Sequence, residues 1–270
     1  MTGSGATKRP RAMRAAGSGT QSIDRAIALL REVGMFGRPG ARISDLMRNC
    51  DLEYPTAHRI LKSLVANELL AKDPVTRRYR LGQLVYELSL AVEPTLDVRR
   101  YCDAMTTRLA EATGDTIFLT VRSGRDVVCI DRKEGSYPIR TFLFDIGSRR
   151  PLGVGAAGIA LLMSDPQDQV DAIVSANQSR YEGWGKVTAE HVLATVSRAR
   201  EVGYVVIGDI VFPGVRAVSL PFGYSGGQAM AAVSVAAISS RVPKARILEL
   251  VSLIESEIAR LPHLDNSRNA

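Results

Sequence analysis

Three groups of residues in this 270-residue chain carry chemistry by type and spacing. Thr56, His58, Arg59 and Lys62 lie on the polar side of an apolar stripe made by Ala57, Ile60, Leu61, Leu64 and Val65. A helix face of this kind can offer an arginine to a guanine edge, worth roughly 1–3 kcal/mol of discrimination, and a lysine to a phosphate. Arg77, Arg78 and Arg80 crowd one short stretch nearby. Cations there hold phosphates or enter a minor groove, or else form a solvated edge that blocks strand aggregation. Gly153-Val-Gly155-Ala-Ala-Gly158 satisfies G-x-G-x-x-G, the spacing that lets a backbone approach a pyrophosphate. Its surroundings are wrong for that role. Ser148-Arg-Arg-Pro151 precedes it instead of a buried parallel strand, and the elements before it read as hairpins. Asp171 is the acidic residue nearest the expected offset. A nicotinamide-dependent oxidoreductase therefore stands as an alternative, against a loop of tight turns that packs closely on a helix.

Other chemistries find little support. His58, His191 and His263 are dispersed, and Cys50, Cys102 and Cys129 have no metal-like spacing. Three cysteines also make an odd count for a disulfide framework. We expect no catalytic constellation, no metal and no cofactor, and a reducing cytoplasm as the compartment. No apolar run reaches the roughly 18 residues of a membrane span. Residues 1–20 hold Lys8, Arg9, Arg11 and Arg14 without an apolar core, which excludes a secretory signal and predicts a disordered basic arm. The net charge of +7 is unevenly placed: +8 through Gln83 and −1 from Leu84 onward. The first third therefore expects a polyanion partner.

Elements must position these groups. Ser22 is read as the cap of a helix running to about Val33, with Ile23, Ala26, Ile27, Leu29 and Leu30 on its apolar face. Arg25 on that helix is a backbone clamp or an internal salt-bridge residue. Ser44 is read as capping a short helix over Asp45 to Asn49, and a second runs from Tyr54 or Pro55 to Ala66 after a tight turn. Two such helices form a helix-turn-helix. Leu69 to Lys72 and Arg78 to Leu81 pair as a wing around Asp73-Pro-Val-Thr76. A linker helix over Leu84 to Val92 ends at Glu93-Pro94. Beyond it, helices are expected at Val98–Ala112, Ala156–Met163, Pro166–Ala176, Ala189–Val202 and Pro243–Leu261. Strands are expected at Thr116–Arg122, Val127–Asp131, Ile139–Phe144, Tyr204–Ile207, Arg216–Phe222 and Met230–Ala237. Hairpins interrupted by helices predict an α+β class with an antiparallel sheet. The domain plan is a basic arm (1–20), a winged helix-turn-helix (21–83), a linker helix (84–95), an effector-binding and oligomerisation domain (96–262) and a flexible tail (263–270).

Ser22-Ile-Asp-Arg-Ala-Ile, Tyr54-Pro-Thr-Ala-His-Arg-Ile-Leu and Arg78-Tyr-Arg-Leu-Gly82, in that order and spacing, resemble the IclR family of bacterial regulators. Gly147-Ser-Arg-Arg-Pro-Leu152 and Gly214-Val-Arg-Ala-Val218 continue the likeness. The resemblance implies a GAF-like C-terminal effector-binding domain, and dimers or dimers of dimers on double-stranded operator DNA. It places Tyr54, Thr56, His58, Arg59 and Lys62 at recognition-helix positions, where His58 reads a base or instead caps or packs locally. It makes Gly155, Ala156, Asp209 and Ser234 pocket residues, the α-helix opening at Gly155 offering N–H groups to a carboxylate. Ala217 stands where many members have cysteine, and Ala236 where a second serine occurs. Gly155 and Ile159 replace a common threonine and lysine. Fewer polar partners imply either a larger, more apolar effector, such as an aromatic or hydroxyaromatic carboxylate, or a pocket that binds nothing; Arg140 and Arg216 are read as carboxylate partners or as exposed strand residues. An effector-less architectural DNA-binding protein is a further alternative.

Overall fold

The computed structural model of the protein describes residues 20–37, 39–91, 98–139 and 144–261. They form two compact units, one within residues 1–96 and the other within 97–270. The expected arm before Thr20, the tail after Leu261 and the linker terminus at Glu93-Pro94 lie outside the described residues.

In the first unit, helices α1 (Gln21–Met35), α2 (Ile43–Cys50) and α3 (Tyr54–Ala66) precede a hairpin of β1 (Leu70–Lys72) and β2 (Tyr79–Leu81), then helix α4 (Gln83–Leu90). Leu29 and Val33, Leu46, Ile60, Leu61 and Leu64, and the hairpin residues Leu70 and Tyr79 share one core. The wing is thus part of the hydrophobic unit, and Ala41 ties it down by exchanging backbone hydrogen bonds with Tyr79 at 2.8 and 2.9 Å. Two expected caps are corrected. Helix α1 begins at Gln21 after Thr20, so Ser22 lies inside it. Helix α2 begins at Ile43 after an extended Arg42, so Ser44 is its second residue. Ile43 packs against the core, and that apolar contact starts the helix ahead of the serine. Pro55 sits in the first turn of α3 as expected. Between α2 and α3, Asp51 adopts φ 52°, and the N–H of Leu52 reaches the Met47 carbonyl at 3.0 Å. Gly82 is required by a close approach: a Cβ there would lie 2.0 Å from the Glu68 carbonyl oxygen. No residue of α4 is fully buried, and Tyr86, Leu88 and Leu90 are exposed.

The second unit runs α5 (Val98–Thr113), β3 (Thr116–Ser123), β4 (Asp126–Lys133), β5 (Arg149–Pro151), α6 (Gly155–Leu162), α7 (Gln167–Asn177), α8 (Ala189–Val202), β6 (Val205–Gly208), β7 (Val215–Ser225), β8 (Gln228–Ile238) and α9 (Lys244–Ala259). Its six-stranded sheet has the order β5-β4-β3-β8-β7-β6, and every pairing is antiparallel. Strand alternation divides two cores. Ile117, Leu119, Val233 and Val235 pack with residues of α5 and α9, while Phe118, Ala232 and Ala236 pack with α6, α7 and α8. Thr188 caps α8 by accepting the His191 N–H at 3.1 Å, and Gly203 ends it at φ 85°. Of the strand expected over Ile139–Phe144, the end residues Ile139 and Phe144 are not in a strand, and residues 140–143 lie outside the described residues. The outer edge of β4 pairs with Arg149–Pro151, Val127 opposite Arg150.

Candidate nucleic-acid interface and ligand cavity

Burying Ala57, Ile60, Leu61 and Leu64 fixes which side of α3 meets solvent. On that side Tyr54, His58, Arg59 and Lys62 are exposed, with Thr56 half-buried. The His58 ring stacks on Tyr54, centroids 5.5 Å apart and planes 16° from parallel. Helical i, i+4 spacing makes that pair, so the local packing role weighed for His58 is present. Arg59 and Lys62 have no ion pair among the described residues. Arg77 is exposed at the wing with φ 58°. Arg80 lies 3.8 Å from Asp73, whose carboxylate also accepts the N–H groups of Val75 and Thr76. Those backbone bonds, more than Arg80, hold the Asp73 carboxyl below its usual range. Arg78 donates to the Gly40 carbonyl at 2.8 Å and is half-buried, so it braces the wing against the turn before Ala41. Arg25 is half-buried on α1, and Ser44 is exposed on α2.

The second unit holds a cavity of about 70 Å³ that opens to solvent. Gly155, Ala156, Asp209, Ala217, Ser234 and Ala236, all expected from sequence, line it. Two expectations fail or go unmet. Arg216 is not on its wall: Val215 and Ala217 face the cavity, and the alternation of β7 turns Arg216 to the opposite face, where it donates to the Val242 carbonyl at 2.6 Å. Arg140 lies outside the described residues. Ile159 is buried in the core of α6 and does not line the cavity.

The residues that sequence reasoning missed are mostly aromatic or apolar: Phe118, Phe144, Phe212 and Val154, with Thr120 and Arg150. Thr120 Oγ1 donates to the Ala232 carbonyl at 3.0 Å, and Ser234 Oγ donates to Ser219 Oγ at 2.8 Å. Both hydroxyls have spent their proton on the protein, which leaves lone pairs. Asp209 is exposed at φ 61°, its carboxylate accepting the Gly214 N–H at 2.7 Å. Arg150 is 8% exposed, and its guanidinium lies 4.1, 5.0 and 5.2 Å from the ring centres of Phe144, Trp184 and Phe212. Burial pulls its pKa down to about 10, which leaves it cationic at neutral pH. No sequence signal marked it out from Arg149, because a three-residue edge strand is too short to show which neighbour points inward.

The G-x-G-x-x-G loop serves this cavity wall. Gly153 has φ 99°, and a Cβ there would meet Tyr181 Oη at 2.7 Å. No βαβ unit surrounds it, since the sheet is antiparallel throughout. The close helix packing weighed for the motif is what the structure contains.

A winged helix-turn-helix with an exposed basic helix, followed by an antiparallel α+β unit, defines the class of DNA-binding transcriptional regulators. Residues 22–74 match the model of the IclR helix-turn-helix domain, and residues 91–260 match that of the bacterial transcriptional regulator IclR C-terminal region. The chain belongs to the IclR family. It is similar to the HTH-type transcriptional repressor AllR of Salmonella typhi, 27% identical over 237 residues, which cover 87% of this chain and 86% of that one. A crystallised transcriptional regulator from Alicyclobacillus acidocaldarius shares the fold with a TM-score of 0.72 at 20% identity, over 89% of this chain and 97% of that one. An IclR homolog from Microbacterium hydrocarbonoxydans, solved in complex with 4-hydroxybenzoate, does so at 0.64 and 22% identity, over 88% and 99%. No helix among the described residues is long and apolar enough to cross a membrane.

Proposed function

We propose that the protein is a sequence-specific regulator, not an enzyme, which reads double-stranded operator DNA through α3 and is controlled by a small carboxylate bound in the cavity of the second unit. The observation that carries the DNA reading is the exposed basic face of α3 beside the wing. Arg59 contacts a base edge, Lys62 and Arg77 neutralise phosphates, and Thr56 and Tyr54 reach bases or phosphates near the helix start. His58 is held by Tyr54 and positions that ring. Arg78 and Arg80 shape the wing and add positive potential to it, and Arg25 and Ser44 serve as contacts to the DNA backbone.

The effector is an aromatic carboxylate. Three phenylalanines and several small residues give the cavity an apolar wall suited to a ring. The lone pairs of Thr120 and Ser234 suit a ligand hydroxyl. The Microbacterium hydrocarbonoxydans protein, which has the same fold, holds 4-hydroxybenzoate. The exposed apolar residues Tyr86, Leu88 and Leu90 of α4 favour a dimer or a dimer of dimers.

DNA binding measured against salt, with wild type and Arg59→Ala on genomic fragments near the gene, tests the reading. A dimer neutralising about 6–10 phosphates gives a log–log slope near −0.9 per phosphate. Selection of one fragment, relaxed by Arg59→Ala, is the expected result. Binding indifferent to sequence would favour the architectural alternative and remove base reading by α3.

A further inference from the structure

The two arginines of β5 differ in what surrounds them. Arg149 turns outward and is paired: it lies 3.3 Å from the Asp126 carboxylate and donates to Ser123 Oγ at 2.8 Å. Other half-buried arginines of this unit also meet an oxygen, Arg122 on Asp165 at 2.7 Å and Arg241 on Asp115 at 2.6 Å. Arg150 is more deeply buried than any of these, yet it has no hydrogen-bond acceptor and no ion pair among the described residues. Asp145, whose carboxylate acts on it electrostatically, is bridged to Arg132 at 3.0 Å. Aromatic rings hold the guanidinium in place, and π faces accept none of its in-plane N–H donors.

A second observation converges on the same point. Helix α6 starts at Gly155 after Val154, with no side chain capping its N-terminal N–H groups. A Cβ built on Gly155 would find a single neighbour, Arg150 Nη1 at 3.9 Å. The positive end of a helix and a buried cation therefore border the same cavity wall, close to one another.

Resting on the reading of this cavity as an effector site, we propose that Arg150 receives the carboxylate of the effector, forming a bidentate pair while the first N–H groups of α6 complete the anion's shell. The aromatic residues around it pre-orient the guanidinium plane, and the ligand ring extends toward Phe118 and the Thr120–Ser234 hydroxyls. This replaces Arg216, which faces the other side of the sheet. Selection is then by charge: an acid binds, while an amide of the same shape leaves the cation unmatched.

Thermal shift and calorimetry with benzoate and 4-hydroxybenzoate, against benzamide and 4-hydroxybenzamide, test the proposal on wild type, Arg150→Met and Arg150→Lys. Wild type should bind the acids and rise by about 5–10 °C at a hundredfold excess over Kd, and ignore the amides. Arg150→Met should melt no lower than wild type without ligand, having lost an unmatched buried charge, and bind the acids at least about 30-fold more weakly. Arg150→Lys, which keeps the charge and loses the fork, should fall between. Acid binding undiminished in Arg150→Met, or amides binding as well as acids, overturns the assignment and leaves the cavity reading standing. A wild type that binds none of the four overturns both.

Discussion

Arg59 and Arg150 show how residues of one type take different roles through what surrounds them. Arg59 is exposed on a helix and free to find a base edge, whereas Arg150 is held in a ring of aromatics inside the second unit. The cysteines are quiet for a related reason. Burial is the main cause that pushes the Cys50, Cys102 and Cys129 thiols up to about 12, with the Glu32 carboxylate adding to it at Cys50 and the Asp131 carboxylate at Cys102. At pH 8 the thiolate fraction is then about 10⁻⁴, and the thiolate is the reactive form. A chromogenic thiol reagent should react slowly with the native protein and rapidly with all three thiols in guanidinium chloride. Fast native labelling of any one would contradict this burial.

At the scale of elements, buried ion pairs tie helices and connections to the sheet. Arg122 on β3 grips Asp165, in the turn after α6, through both carboxylate oxygens at 2.7 Å, and the Asp165 carboxylate is shielded from solvent. Arg122→Ala leaves a buried charge without its partner and should cost about 3–5 kcal/mol, seen as a lower urea midpoint. A loss under about 1 kcal/mol would mean that Asp165 finds another partner or water. In the first unit, Gly82→Ala drives a Cβ into the Glu68 carbonyl. It should lower the melting temperature, while the same change at exposed Gly37 brings no such contact and costs only its φ of 56°.

At the scale of the whole molecule, control of DNA binding by an effector is a coupling free energy and has to be reciprocal. If a carboxylate changes operator affinity by some factor, operator DNA must change carboxylate affinity by that same factor. Calorimetry of the acid with and without operator, beside DNA titrations with and without acid, checks it. A change in one direction only would show that the two measurements do not report one linked equilibrium. A ligand that leaves operator affinity unchanged, however tightly it binds, is not the effector.

Features that depend on local pattern were mostly legible in the chain. The 3.6-residue stripe of α3, Pro55 in its first turn, the wing hairpin and the alternating strands β3, β4, β7 and β8 were all legible, as were α5 and α8 with its Thr188 cap. The basic excess of the first third pointed to a polyanion before any fold was known. Six cavity residues were anticipated from the chain, but the folded sheet was needed to separate neighbouring side chains and to bring Phe118, Phe144, Phe212 and Arg150 to the same wall. Ala217 and Arg216 are neighbours in sequence, yet pairing in the sheet sends one inward and the other to the opposite core. Arg149 and Arg150 part in the same way on a strand too short to show a period. The caps at Ser22 and Ser44 misled because an apolar contact set the start of α2, and α1 opened two residues early. Local propensity is a matter of a kcal/mol or so per residue, and core packing outweighs it.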